Sequence, residues 1–239
     1  MFQFIDKPST VLQIYKQSFA LYKEVFAKIW YVILLNFVII NTIQYLGSKS
    51  AVVTVGTNIT KLGMVPWIYY IVGIILSMYF AAVVVHRVYH IAANQAVPLI
   101  SSYAAVLRKL IFIVPTGIIA VILVSLGFIL LWIPGIFLLF LFIFCLAAIL
   151  FEDKKVFSAI KRSYQLVWGN WWHTFSSFIL VAIIGLLFVV LLITLFKGTN
   201  SMWLIGGAAA AFFIIVGPLY FSIYMVQYND LKLREKQQE

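Results

Sequence analysis

The stretch Glu152-Asp153-Lys154-Lys155-Val156-Phe157-Ser158-Ala159-Ile160-Lys161-Arg162-Ser163-Tyr164-Gln165-Leu166-Val167-Trp168-Gly169-Asn170-Trp171-Trp172-His173 lies between two long apolar runs, yet it reads as an amphipathic helix. Val156, Ile160, Tyr164, Val167 and Trp171 recur at helical spacing, while Lys154, Ser158, Lys161, Arg162, Gln165 and Gly169 fill the opposite side. Asp153 stands where an N-cap belongs, and Gly169-Asn170 stands where a left-handed residue ends a helix. A helix with an oily, aromatic face and a basic face suits a membrane surface. Lys154, Lys155, Lys161 and Arg162 are therefore the candidate contacts to anionic headgroups, with Trp171 and Trp172 at the same boundary.

The surroundings of this stretch fix the class of protein. Of 239 residues, 64% are hydrophobic and only 10% charged, well above the apolar share of a soluble domain. Uncharged runs occur at about 30–46, 67–85, 110–131, 135–151, 174–196 and 203–227, each close to the length needed to cross a hydrocarbon core. They predict a single integral membrane domain over 1–239, with six transmembrane helices and a charged tail at 229–239. The opening residues lack the apolar core and small-residue cleavage site of a signal peptide, so the first span is expected to stay in the mature chain. Trp132-Ile133-Pro134-Gly135 reads as a tight turn, Gly217-Pro218 as a kink, and Gly206, Gly207 and the alanines after them as a close-packing surface.

Two more basic, helix-periodic stretches precede pairs of spans. Leu12, Tyr15, Phe19, Tyr22 and Phe26 mark one within 9–28; Leu99, Tyr103, Val106 and Leu110 mark the other, after Pro98. Ser18-Phe19-Ala20-Leu21, Ser102-Tyr103-Ala104-Ala105 and Ser163-Tyr164-Gln165-Leu166 are comparable within the three stretches. The expected fold is all-α, a threefold repeat of one interfacial helix plus one transmembrane hairpin, with units at about 9–85, 98–151 and 153–227. Fourteen of the seventeen Lys and Arg fall on one side of this layout, and only Lys49, Lys61 and Lys197 on the other. The positive-inside rule then places both termini in the cytoplasm.

Ala159, Arg162-Ser163, Leu166 and Gly169-Asn170-Trp171-Trp172 resemble the signature of the YciC-type bacterial inner-membrane proteins. They are also similar to the membrane domain fused to some glycerophosphodiester phosphodiesterases. The resemblance implies a bacterial inner-membrane location and a fold more than an activity. Those enzymes carry their chemistry in a separate soluble domain, for which this chain has no room.

The spans themselves are poor in chemistry. All seven acids and every Lys and Arg lie outside them, which argues against an ion-coupled pump and against an intramembrane enzyme. His86 and His90 share a helix face, but Arg87 between them opposes a metal ion, and interfacial imidazoles are the plainer reading. Cys145 reads as a small buried hydrophobe with no base to activate it. Asn36, Asn41 and Gln44 are the most polar groups within a span, a candidate intramembrane cluster for which interhelical packing is the plainer reading. The tryptophans fall at span ends and in the surface helix, the aromatic-belt pattern. No catalytic residue, metal or cofactor is expected, and dispersed cations do not suit nucleic acid. The expected function is non-enzymatic: engagement of anionic lipid or of a membrane partner, another protein or a second copy of the chain, in membrane homeostasis. The alternative is a small permease or lipid translocator running past Asn36, Asn41 and Gln44.

Overall fold

A computed structural model describes residues 2, 4, 7–50, 54–55, 59–60, 64–197 and 202–237. It is helical apart from a two-residue antiparallel pairing of Thr54–Val55 with Ile59–Thr60. The helices are α1 (Val11–Ser50), α2 (Met64–Ala92), α3 (Leu99–Leu130), α4 (Trp132–Leu141), α5 (Cys145–Phe151), α6 (Val156–Trp168), α7 (Trp171–Leu195) and α8 (Met202–Lys236). Six stretches, with α4 and α5 counted together, are long and apolar enough to cross a membrane, so this is a multi-pass membrane protein. Lys61, one of the three cations expected on the opposite side, lies outside the described residues.

Several boundaries differ from the sequence reading, each for a physical reason. The first two basic stretches are not separate helices. Nothing between Lys28 and Trp30, or between Lys109 and Ile111, breaks a helix, so each runs straight into the span that follows. The resulting 40-residue α1 is about 60 Å long, roughly twice the hydrocarbon core. At the other end of the chain, α8 passes through Pro218 without interruption and absorbs most of the expected tail, up to Lys236. Ser222 Oγ donates to the Pro218 carbonyl at 2.7 Å. Gly217 lies against Ile33, while Gly206 and Gly207 face open space rather than a packed neighbour.

The expected turn at 132–135 is already the first turn of α4. Leu131 alone, in extended conformation, links α3 to α4. Gly135 serves close approach and not a left-handed turn: a Cβ there would run into the Phe128 ring, and one on Gly127 would come within 3.0 Å of the Gly135 backbone. The fourth span is likewise not one helix, since α4 stops at Leu141 and α5 starts at Cys145.

The core lies at the end of the helices where Lys and Arg gather, here called the basic end. Ile14, Leu21, Val25 and Ile29 of α1, Val83, Val85 and Val88 of α2, Ala147 and Ile149 of α5, and Ile223 and Met225 of α8 are all buried. The opposite halves leave Leu46, Ile71, Ile129, Leu187 and Ile215 exposed. Lipid tails solvate such side chains as well as a protein interior does, so no hydrophobic force draws these halves together. Ser18, Ser102 and Ser163 are each fully buried within the core.

Candidate functional site

In the segment between α5 and α7 the short helix α6 is packed against the broken span of α4 and α5. Its entry is sharp because Asp153 takes a left-handed φ of 51°, which an acid side chain tolerates better than a branched one. Asp153 is not the N-cap of α6. That position belongs to Lys155, which makes no side-chain cap, and the Asp153 carboxylate instead accepts from Lys109 Nζ at 2.6 Å. The hydrogen bond and charge of Lys109 lower the Asp153 carboxyl, although Asp153 itself is exposed. At the far end Gly169 has φ −75°, an ordinary right-handed value, so the helix does not end through glycine's special freedom.

Ala159, Ser163, Leu166 and Val167 form the buried face of α6. This face is rotated from the oily face read in the sequence, which included Tyr164 and was expected to meet the acyl region; Tyr164 is exposed. Ser163 explains the rotation. Its Oγ donates to the Leu141 carbonyl at 2.7 Å and accepts from the Phe144 amide at 3.1 Å, bridging the gap between α4 and α5. Tyr224 Oη accepts from the Ala147 amide at 3.1 Å on the other side of the same break. Irregular backbone at membrane depth is tolerated only where protein satisfies it, and two hydroxyls do so here.

Arg162, expected at the lipid headgroups, points into the protein. Its Nε donates to Glu152 at 2.6 Å, and Nη1 and Nη2 form a bidentate pair with Glu235, the latter at 2.7 Å. Hydrogen bonding to Glu235 raises the Arg162 guanidinium further above its already high value. Glu152 also accepts from Tyr228 Oη at 2.7 Å and lies 3.5 Å from Lys232. Burial alone would raise the Glu152 carboxyl, but hydrogen bonds from Tyr228 and Arg162 and the nearby positive charges outweigh burial and hold it below the usual carboxylate range. A second network ties down the first residues of the chain. Buried Asp230 accepts from the Ser9 amide at 2.5 Å and from Arg234 Nε at 2.7 Å. His173 Nε2 lies 3.1 Å from the Ser9 carbonyl, and its Nδ1 lies 3.1 Å from Gln227 Nε2.

With Arg162 turned inward, a different set of side chains covers the outer face of α6. Phe157, Lys161, Tyr164 and Trp168 follow one another at i, i+4, i+7 and i+11, all exposed, so cation and aromatic rings form one stripe. Tyr164 stacks on Trp168 with centroids 4.9 Å apart. Lys154 and Lys155 at one end, and Trp172 at the other, extend the stripe and are exposed. Trp171 departs from expectation: it stacks between Phe137 and Phe175, and its Nε1 donates to the Phe137 carbonyl at 3.2 Å.

The expected intramembrane cluster does not converge. Asn41 Nδ2 donates to the Phe37 carbonyl of its own helix at 2.7 Å, and Asn41 and Gln44 are exposed. Asn36 lies about 140° round the helix from Asn41, with a buried Oδ1 that has no partner among the described residues. His86 and His90 stand with their Nε2 atoms 3.2 Å apart, and among the described residues no group of three or more His, Cys, Asp or Glu converges. Glu152, Ser163, Tyr228 and Glu235 hold α6 in place and Asp230 holds the start of the chain, and the sequence reading gave none of them a role at the site, although Ser163 stood in the resemblance and in the repeat. One signal was available: a serine beside an arginine at the start of the Ser163-Tyr164-Gln165-Leu166 match, on a face otherwise made of small and aliphatic residues.

A family model described as a domain of unknown function, DUF7847, matches residues 90–226, more than half of the chain. The match takes in α3 to α7 and α8 as far as residue 226, and so α6 with Glu152 and Ser163, whereas Tyr228, Asp230 and Glu235 lie beyond it. Comparison with curated proteins and with solved structures gave no match.

Proposed function

The chain belongs to the DUF7847 family, and from that premise we propose that it is a non-enzymatic membrane protein that engages anionic lipid through the outer face of α6. The observation that carries this is the stripe of Phe157, Lys161, Tyr164 and Trp168, flanked by Lys154, Lys155 and Trp172 and set opposite the packed Ser163 face. Alternating cations and aromatic rings match the boundary between headgroups and acyl chains, where each Lys near an anionic surface contributes about 1 kcal/mol. In this reading the basic end faces the bacterial cytoplasm, both termini are inside, and the chain is akin to the YciC-type proteins and the membrane domains of some glycerophosphodiester phosphodiesterases. A translocator past Asn36, Asn41 and Gln44 gains no support from side chains that diverge.

The three-unit organisation is part of the proposal. In its favour, Ser18, Ser102 and Ser163, the matched serines, are all fully buried. Each helix that carries a basic stretch packs on a helix of the last span of the preceding unit: α6 on α5, α3 on α2, and α1 on α8, which would close a ring. Tyr89, Phe151 and Tyr228, at the basic ends of those last spans, meet with centroids 4.1 and 6.2 Å apart.

The test is native mass spectrometry of the full chain in nanodiscs of mixed phosphatidylglycerol and phosphatidylcholine. Wild type should retain phosphatidylglycerol in preference. The variant K154E/K155E/K161E should lose roughly 100-fold in that preference, about 1 kcal/mol for each lysine. Equal retention of both headgroups by wild type, or an unchanged preference in the variant, would refute the reading.

A further inference from the structure

The bend from α6 into α7 leaves a cleft of about 640 Å³ against α4, lined by Ile136, Phe137, Trp168, Gly169, Trp171 and Phe175. That volume is in the range of small-molecule sites. Gly169 is the informative residue. Its backbone is right-handed, which any residue adopts, and a Cβ built on it would meet nothing within 4 Å. Neither conformation nor packing therefore requires glycine here, and its missing side chain adds directly to the cleft.

The chemistry of the lining narrows the occupant. No Asp, Glu, Lys or Arg contributes to it, and its one imidazole, His173, is engaged with Ser9, Gln227 and Arg234, so nothing inside is free to balance a ligand's formal charge. Among its lining residues, the Trp168 and Trp172 indoles and the Asn170 carboxamide have no hydrogen-bond partner among the described residues, and both tryptophans are exposed. The wall at Ile133 continues onto the α3–α4 tip, where Ile129, Leu130, Leu131 and Trp132 are exposed, so the cleft opens from the apolar surface rather than from water. Apolar walls, free donors at the rim and access from the hydrocarbon side together fit an amphiphile.

We infer that this cleft holds an acyl chain of a membrane phospholipid, with the ester and phosphate oxygens accepting from Trp168, Trp172 and Asn170 at its mouth. The inference deepens the lipid-engaging reading by adding a chain-binding site beside the headgroup-binding stripe. The two share Trp168 and Trp172, but the lysines belong to the stripe alone and Gly169 to the cleft alone, so changes at these positions separate them.

The probe is a phosphatidylcholine with a photoactivatable diazirine on its acyl chain, incorporated into nanodiscs holding the full-length protein, with cross-linked residues mapped by peptide sequencing. Wild type should label residues 133–140 and 168–175 more strongly than the exposed outer part of α7, residues 186–195. Gly169→Leu should cut that labelling roughly tenfold, Gly169→Ala should leave it largely intact, and labelling of 186–195 should be equal in all three, which controls for folding. Because this probe has no net charge, K154E/K155E/K161E should leave the cleft labelling unchanged even if the headgroup preference proves absent. Equal labelling of the cleft in wild type and Gly169→Leu, or wild-type labelling no stronger than on outer α7, would overturn the inference.

Discussion

Ser163 shows how much one hydroxyl can decide. It makes the hydrogen bonds that the Leu141 carbonyl and Phe144 amide lack at the gap between α4 and α5, and both bonds are buried. Ser163→Ala should cost about 1–3 kcal/mol, read as a lowered thermal midpoint in detergent, because it strands two buried backbone groups. An unchanged midpoint would mean that the break does not depend on this side chain. Glu152 gives a prediction in pH. Its folded carboxyl lies below the ordinary value of 4.5, so its contribution to stability is complete above that value and is lost as pH falls through the lowered one. The melting temperature of the wild type should fall on acidification below about pH 4.5, and Glu152→Gln should be less stable at neutral pH with a shallower acid limb. Parallel acid limbs for the two proteins would exclude Glu152 as the source. Neither role was legible in the sequence. A serine on an apolar face reads as a tolerated small residue, and the partners of Arg162 come from positions 152 and 235, which no local spacing connects.

At the scale of elements, hydropathy found the apolar runs because length and composition fix them, and six stretches of the fold are suited to crossing a membrane. Periodicity misjudged where helices end. Lys28 and Lys109 change the polarity of a helix without breaking it, whereas the left-handed Asp153 does interrupt the chain. Proline and glycine misled in both directions. Pro218 sits inside a continuous α8, and Pro134-Gly135 begins α4 instead of forming a turn. The α3–α4 hairpin should depend on the Gly127 and Gly135 pair. Gly135→Val should destabilise the protein by about 1–3 kcal/mol through its clash with Phe128, while Gly207→Val, facing open space, should be nearly neutral. Equal thermal midpoints for the two variants would show that the hairpin does not rely on close approach.

Across the whole molecule, burial is uneven along the helices. The basic end holds the core and both ionic networks, and the opposite end presents aliphatic surface. This uneven burial also bears on α6, which the sequence marked as a separate helix without marking which of its faces is buried. The same residues that make it amphipathic also have to meet α5, and the Ser163 face takes the inner side. On the lipid-engaging proposal, the outer stripe of α6 lies among anionic headgroups. Single cysteines at 157, 159, 161, 163, 164 and 168, placed in a Cys145→Ser background and labelled with an environment-sensitive fluorophore, test it most directly in nanodiscs carrying a headgroup-attached quencher. The account predicts strong quenching at 157, 161, 164 and 168, weak quenching at 159 and 163, and an increase at the first set when phosphatidylglycerol replaces phosphatidylcholine. Uniformly weak quenching at 157, 161, 164 and 168, insensitive to the lipid's charge, would contradict it.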